Sequence, residues 1–166
     1  MRRTLSVLVE NEFGVLSRIS GLFSGRGFNI ESLTVAPTQD PAYSRLTLVT
    51  TGSDKVIEQI CKQLNKLINV IKVTDITGEI SIDREIVLVK VSAKEETRSE
   101  ILRISEIFDG KIIDATQKYY TIEVSGDEYR IKSFIELVKP LGIKEMVRSG
   151  KVAITREMQV NGVKAL

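Results

Sequence analysis

Two short stretches carry the residue types that could hold a small molecule: Leu8-Val9-Glu10-Asn11-Glu12-Phe13-Gly14-Val15-Leu16 and Arg26-Gly27-Phe28-Asn29-Ile30-Glu31-Ser32. An alternating run (Leu5, Val7, Val9) ends at Glu10, and apolar residues at 15, 16, 19, 22 and 23 follow helical spacing from just after Gly14. The turn between them presents the free backbone N–H groups of a helix N-terminus, which favour a carboxylate or a phosphate. Gly14 has no Cβ and lets such a group approach closely. Asn11 and Asn29 add uncharged amides that both donate and accept, which suits a zwitterion better than a pure anion. A free amino acid fits that chemistry. The same residues also read as ordinary punctuation, since N-x-x-G is a good helix entry and Asn29 after Gly27 a good turn residue.

Other chemistries are excluded by composition. The chain has 166 residues and no histidine, so there is no His-based triad, no imidazole base and no His/Cys zinc cage. We expect no catalytic and no metal-ligating residues. The single cysteine, Cys61, falls in a helical pattern with Val56, Ile57, Ile60 and Leu64 and has no His partner, so it reads as an inert thiol. One cysteine also fits a reducing compartment. Net charge is +2 with both signs scattered, leaving no footprint for nucleic acid or an anionic membrane. Arg2-Arg3 before Leu5 faintly imitates a secretion signal, but the apolar run is short and lacks a cleavage pattern. No run approaches the roughly 18 apolar residues of a membrane span. A soluble cytoplasmic protein is expected.

The elements that must position these residues follow one plan, used twice. The first half reads as strand 4–10, helix 14–24, strand 29–37, strand 43–51, helix 53–67 and strand 70–76. Gly25 and Gly27 stop the first helix, Pro37 to Pro41 supplies a turn, and Ser53 caps the second helix, whose apolar face includes Leu67 and Ile68. The second half reads as strand 84–92, helix 95–108, strand 111–116, strand 119–125, helix 127–141 and strand 143–148, with a short edge strand over 151–155. Ile19-Ser20-Gly21-Leu22-Phe23-Ser24-Gly25 and Ile104-Ser105-Glu106-Ile107-Phe108-Asp109-Gly110 share Ile, Ser, Phe and Gly at equivalent points, which argues for a duplicated module. The fold class is therefore α+β: two tandem ferredoxin-like β-α-β-β-α-β units, each with helices on one face of an antiparallel sheet. The expected domains are 1–78 and 79–156, joined by a polar connector near 78–83, with a tail over 157–166. Units this small bury only about 60% of their unfolded surface, so a homo-oligomer, most simply a homodimer, is expected.

The halves differ in loop chemistry. After Val91 the equivalent turn reads Ser92-Ala93-Lys94-Glu95-Glu96-Thr97-Arg98, with no glycine and two carboxylates at the helix start. Those side chains already occupy the favourable field there and would repel a ligand carboxylate. Ligand sensing belongs to the first half, and the second reads as an oligomerisation or docking module.

The run Leu5 to Glu12, the segment Arg26-Gly27-Phe28-Asn29-Ile30-Glu31-Ser32-Leu33-Thr34-Val35-Ala36-Pro37-Thr38, and later Arg84-Glu85-Ile86 and Arg148-Ser149-Gly150 closely resemble the small regulatory subunits of acetohydroxyacid synthase (acetolactate synthase), from the N-terminus to about Arg156. The resemblance implies an N-terminal ACT domain, the amino-acid-sensing form of this fold, then a second ferredoxin-like domain. It implies a chain without catalysis of its own that activates a large thiamine-diphosphate-dependent catalytic subunit and confers feedback inhibition by valine or another branched-chain amino acid. Thiamine diphosphate, Mg and FAD are then expected only in that large subunit. The effector would sit between two ACT domains, with Asn11 and Gly14 from one protomer, Asn29 and Ile30 from the other, and the N–H groups of Val15 and Leu16 receiving its carboxylate. Phe13 stands where smaller residues also occur in such proteins, which bears on affinity more than on fold.

Three competing readings are weaker. A free-standing ACT-type sensor could act on a different partner. An RNA-recognition module shares the element order, but Tyr43 to Val49 lacks its aromatics, and the adjacent Tyr119 and Tyr120 point to opposite faces. A small hydrolase would need a phosphate loop. Gly25-Arg26-Gly27 is too short for one, and Arg18 and Arg26 read as solvated charge.

Overall fold

In the computed structural model, which describes residues 1–78 and 81–156, strand β1 (Arg2–Glu10) alternates so that Leu5, Val7 and Val9 are buried in the first core. Helix α1 (Val15–Gly25) adds Val15, Ile19, Leu22 and Phe23 to it. Strands β2 (Ile30–Pro37) and β3 (Tyr43–Thr51), helix α2 (Asp54–Leu64) and strand β4 (Val70–Asp75) complete the unit. All pairings are antiparallel and the strand order is β2-β3-β1-β4. Strands β1 and β2 are thus parallel with β3 between them, the split β-α-β arrangement read from the sequence.

The second unit repeats the plan with β5 (Ser81–Ser92), α3 (Glu95–Ile107), β6 (Lys111–Ala115), β7 (Tyr119–Gly126), α4 (Glu128–Val138) and β8 (Ile143–Arg148), its strands ordered β6-β7-β5-β8. Val87, Val89, Val91, Ile101, Ile104, Ile122, Ile131 and Phe134 form its core. The repeated Ile and Phe of the two halves do equivalent work. Ile19 and Ile104 are buried, Phe23 packs edge-on to Phe28 at 6.0 Å, and Phe108 packs edge-on to Phe134 at 5.6 Å. Among the described residues, no helix is long and apolar enough to cross a membrane.

Several boundaries differ from expectation for physical reasons. α2 stops at Leu64, not Leu67, because turns closed by Leu67 N–H to Leu64 O and Val70 N–H to Leu67 O bring the chain round into β4. Ile68, assigned to the apolar helix face, is 89% exposed on that turn. α4 ends at Val138, and Pro140, which lacks an N–H, sits in a 3-10 turn over Lys139–Leu141. The polar connector near 78–83 is shorter than expected, since β5 already begins at Ser81 and carries the alternation. The chain divides inside that strand, into Met1–Ile82 and Asp83–Val152. Strand β9 (Val152–Thr155) forms as expected, but residues 153–156 group with the first unit, where the Ala153 N–H donates to Thr47 Oγ1 at 3.3 Å. The tail over 157–166 lies outside the described residues.

Candidate functional site

The turn between β1 and α1 is held from two sides. On one side Asn11 ties it to the β2–β3 turn: its backbone N–H donates to Ala42 O at 2.7 Å, its Nδ2 to Pro41 O at 2.9 Å, and its Oδ1 accepts from the Ser44 hydroxyl at 3.0 Å. Both ends of the Asn11 amide are therefore engaged in shaping the loop. On the other side stands Asn69, a polar residue only 4% exposed. Its carbonyl accepts from Glu10 N–H at 2.9 Å, and its Nδ2 donates to Glu10 Oε2 at 2.7 Å and to Glu12 Oε2 at 3.2 Å. The Arg18 guanidinium donates to Asn69 Oδ1. The two carboxylates thereby face the Asn69 amide nitrogen, and the Arg18 guanidinium meets the amide oxygen. Arg18, read from sequence as solvated charge, is exposed and also makes a structural tie, because it lies one helical turn beyond Gly14 and reaches back across the loop.

Between these anchors lies the open end of α1. Gly14 occupies the cap position at φ +82°, in left-handed backbone, and a Cβ there would meet nothing within 4 Å. The cap has no side-chain hydrogen bond and the first turn carries no acidic residue. Val15 N–H donates weakly to Glu12 O at 3.4 Å and Arg18 N–H to Gly14 O at 3.0 Å. Val15 turns its side chain into the core, whereas Leu16 and Phe13 are exposed, Phe13 completely. The result is a helix N-terminus whose first N–H is held only weakly within the turn, flanked by two apolar side chains and unobstructed at Gly14. Such a terminus attracts a carboxylate.

Asn29 and Ile30 are not beside it. Asn29 is exposed, and its carbonyl accepts from the Thr50 hydroxyl at 2.6 Å. Ile30 pairs with Thr50 and packs half-buried against the first core, with a bulge before Ser32. Thr50 pairs with Arg3, whereas Glu10 pairs with Tyr43. The two stretches therefore lie at opposite ends of one sheet, seven strand residues apart, or about 24 Å at ~3.4 Å per residue. Within a single unit they cannot line one small pocket.

The second unit closes the equivalent place. Lys94 caps α3 without a side-chain bond, Glu95 and Glu96 occupy the first turn, and Thr97 and Arg98 N–H groups both donate to Lys94 O. Arg98, fourth in its helix as Arg18 is in α1, donates to Ala93 O at 3.0 Å and Gln117 O at 2.8 Å. The two later motif segments meet within this unit. Arg148 grips Glu85 with two bonds of 2.7 and 2.6 Å, and Ile86 and Ser149 exchange hydrogen bonds of 3.0 and 2.9 Å.

Residues 5–72 match the acetohydroxyacid synthase small subunit-like ACT domain, and residues 84–157 match the family described as small subunit of acetolactate synthase. Among relatives, a probable acetolactate synthase small subunit of Archaeoglobus fulgidus is 52% identical over 156 residues, covering 94% of this chain and 98% of the relative. The acetolactate synthase isozyme 3 small subunit of Escherichia coli (strain K12) is 50% identical over 157 residues, covering 94% and 96%. A crystal structure of the acetolactate synthase small subunit from Thermotoga maritima superposes with a TM-score of 0.86 at 40% identity, covering 94% of this chain and 98% of that one. The chain belongs to the family of acetolactate synthase small subunits.

Glu10, Glu12, Arg18 and Asn69 are the site-shaping residues that sequence reasoning missed. The Gly14-to-Arg18 spacing of one helical turn was the available signal. A buried asparagine between an exposed Ile68 and Val70 left none.

Proposed function

We propose that this chain is a non-catalytic regulator of the large, thiamine-diphosphate-dependent catalytic subunit of acetolactate synthase, activating it in the cytoplasm and conferring feedback inhibition by valine or another branched-chain amino acid. Thiamine diphosphate, Mg and FAD belong, in this reading, to the catalytic subunit. The effector's carboxylate is received by the N–H groups of Val15 and Leu16 over Gly14, while Asn29 and Ile30 of a second copy meet its ammonium and aliphatic ends. Asn11 serves by holding the loop in shape.

One observation carries the reading. Asn29 and Gly14 stand at opposite ends of the same sheet, and β2, which begins at Ile30, is the sheet's outer strand. Outer strands offer backbone groups for pairing with another chain. Two copies paired antiparallel along β2 would set the start of one β2 beside the end of the other. That end lies with Pro37 opposite Ser44, next to Asn11. A two-fold dimer therefore assembles two complete sites from four half-sites. An effector bridging two copies shifts the assembly only as far as it prefers one arrangement, and an interface site changes shape readily. Valine, leucine and isoleucine differ here by a methylene or its placement, worth about 1–3 kcal/mol.

Calorimetric titration of the full chain with valine, leucine and isoleucine, together with its mass in solution, tests this. A dimer binding at least one of the three supports it. A folded sample that ignores all three overturns it.

A further inference from the structure

A second cluster of chemistry lies on the opposite face of the first sheet. Leu8 pairs in register with Arg45 on β3 and with Lys72 on β4. The two cations therefore flank one leucine across three adjacent strands, their Cα atoms about 10 Å apart at ~4.8 Å per strand. In the next row on this face Ser6 pairs with Thr47 and Thr74. Ser6, Thr74 and both cations line a hollow of about 330 Å³ walled by Ile154 of β9, a volume at the lower end of small-molecule sites. Arg45 donates to the Ser6 hydroxyl at 3.0 Å, which holds its guanidinium over the sheet.

Among the described residues, neither Arg45 nor Lys72 meets a carboxylate within 4.0 Å. The nearest acid along β1 on this face, Glu10, accepts from Asn69, while Asp75 pairs with Leu5 on the core-side face and binds Arg3 at 3.6 Å. Two like charges brought to one face with no acid between them among the described residues repel each other, and a bound anion relieves that repulsion. The order cation, leucine, cation is also specific. A single phosphate or monocarboxylate covers the charges but not the apolar strip between them.

We propose that this hollow is a binding site for a short dicarboxylate, with one carboxylate at Arg45, the other at Lys72, the connecting methylenes over Leu8 and the Ser6 and Thr74 hydroxyls donating from the side. Charge-assisted bonds at both ends would give most of the affinity. The site is remote from the α1 terminus in chemistry and in face, so it stands or falls independently of the amino-acid reading.

Titration of the full chain with succinate as the probe tests it, with propionate and inorganic phosphate as parallel arms. Succinate should bind, propionate should bind at least about tenfold more weakly, and Arg45→Gln and Lys72→Gln should each weaken succinate about tenfold or more. Lys72 is exposed and meets no carboxylate within 4.0 Å among the described residues, so Lys72→Gln should keep the parent's urea midpoint, which separates lost binding from lost folding. The proposal is overturned if succinate does not bind, if it binds equally to Lys72→Gln, or if phosphate binds as tightly as succinate.

Discussion

The Asn69 side-chain amide donates to the Glu10 carboxylate at 2.7 Å, from a position almost sealed from solvent. This bond, with those from Asn69 to Glu12 and from Arg18 to Asn69, fixes the β1–α1 turn to the start of β4. Asn69→Ala removes the centre of the network and leaves two carboxylates and a guanidinium without their common partner. Glu10 is half-buried and Glu12 and Arg18 are exposed, so water takes up part of the loss and the cost is about 1 kcal/mol. Urea unfolding should show a lowered midpoint of that size with an unchanged slope. Asn69→Asp should be worse, because it sets a third carboxylate beside Glu10 and Glu12.

Glu31 supplies a pH dependence with a definite sign. The Thr51 hydroxyl donates to its carboxylate and Arg2 reaches it at 2.6 Å, and together they hold its carboxyl below the ordinary 4.5. A carboxyl lowered in the folded state contributes stability that is complete above the unfolded value and is lost as pH falls through the folded one. Glu31→Gln should therefore lower the urea midpoint at neutral pH, and the difference from the parent should shrink as pH falls below 4.5 and vanish once the folded-state carboxyl is protonated. A difference that persists in acid would mean the packing of the side chain matters and its charge does not.

Cys61 should be slow to react. It packs half-buried against the first core, and burial, aided by the nearby Asp75 charge, pushes its thiol above the ordinary 9.0. The thiolate is the reactive form, so alkylation by iodoacetamide at neutral pH should run well below the rate of an unstructured cysteine peptide and rise to it in urea. Equal rates in buffer and in urea would place the thiol in solvent.

The element order was legible because it rests on periodicity, which local sequence encodes. Leu5, Val7 and Val9 alternate into one core, and Val56, Ile57, Ile60 and Leu64 follow one helix face. Element ends were less legible where tertiary turns override the pattern. Ile68 continues the apolar face of α2 in sequence, yet the chain must turn there to reach β4. In the site, the start of a helix just after Gly14 was legible, and α1 does begin at Val15 with Gly14 at its cap in left-handed backbone. The ties from Asn11 to Ser44 and from Arg18 to Asn69 were not, because they span 33 and 51 residues and depend on register. The separation of Asn29 from Gly14 is likewise a property of strand order and not of spacing along the chain.

The most direct test of the central claim is valine inhibition of the catalytic subunit reconstituted with Gly14→Asp and, beside it, Gly14→Asn. Aspartate and asparagine are the L-residues that best tolerate left-handed backbone, and the space beside Gly14 is open, so both variants should fold. Only aspartate places a carboxylate where the effector's would bind. If the α1 terminus receives valine, Gly14→Asp abolishes inhibition while activation of the partner subunit persists, and Gly14→Asn retains more inhibition than Gly14→Asp. Inhibition that survives Gly14→Asp undiminished, or activation and inhibition lost together in a folded variant, would contradict the account.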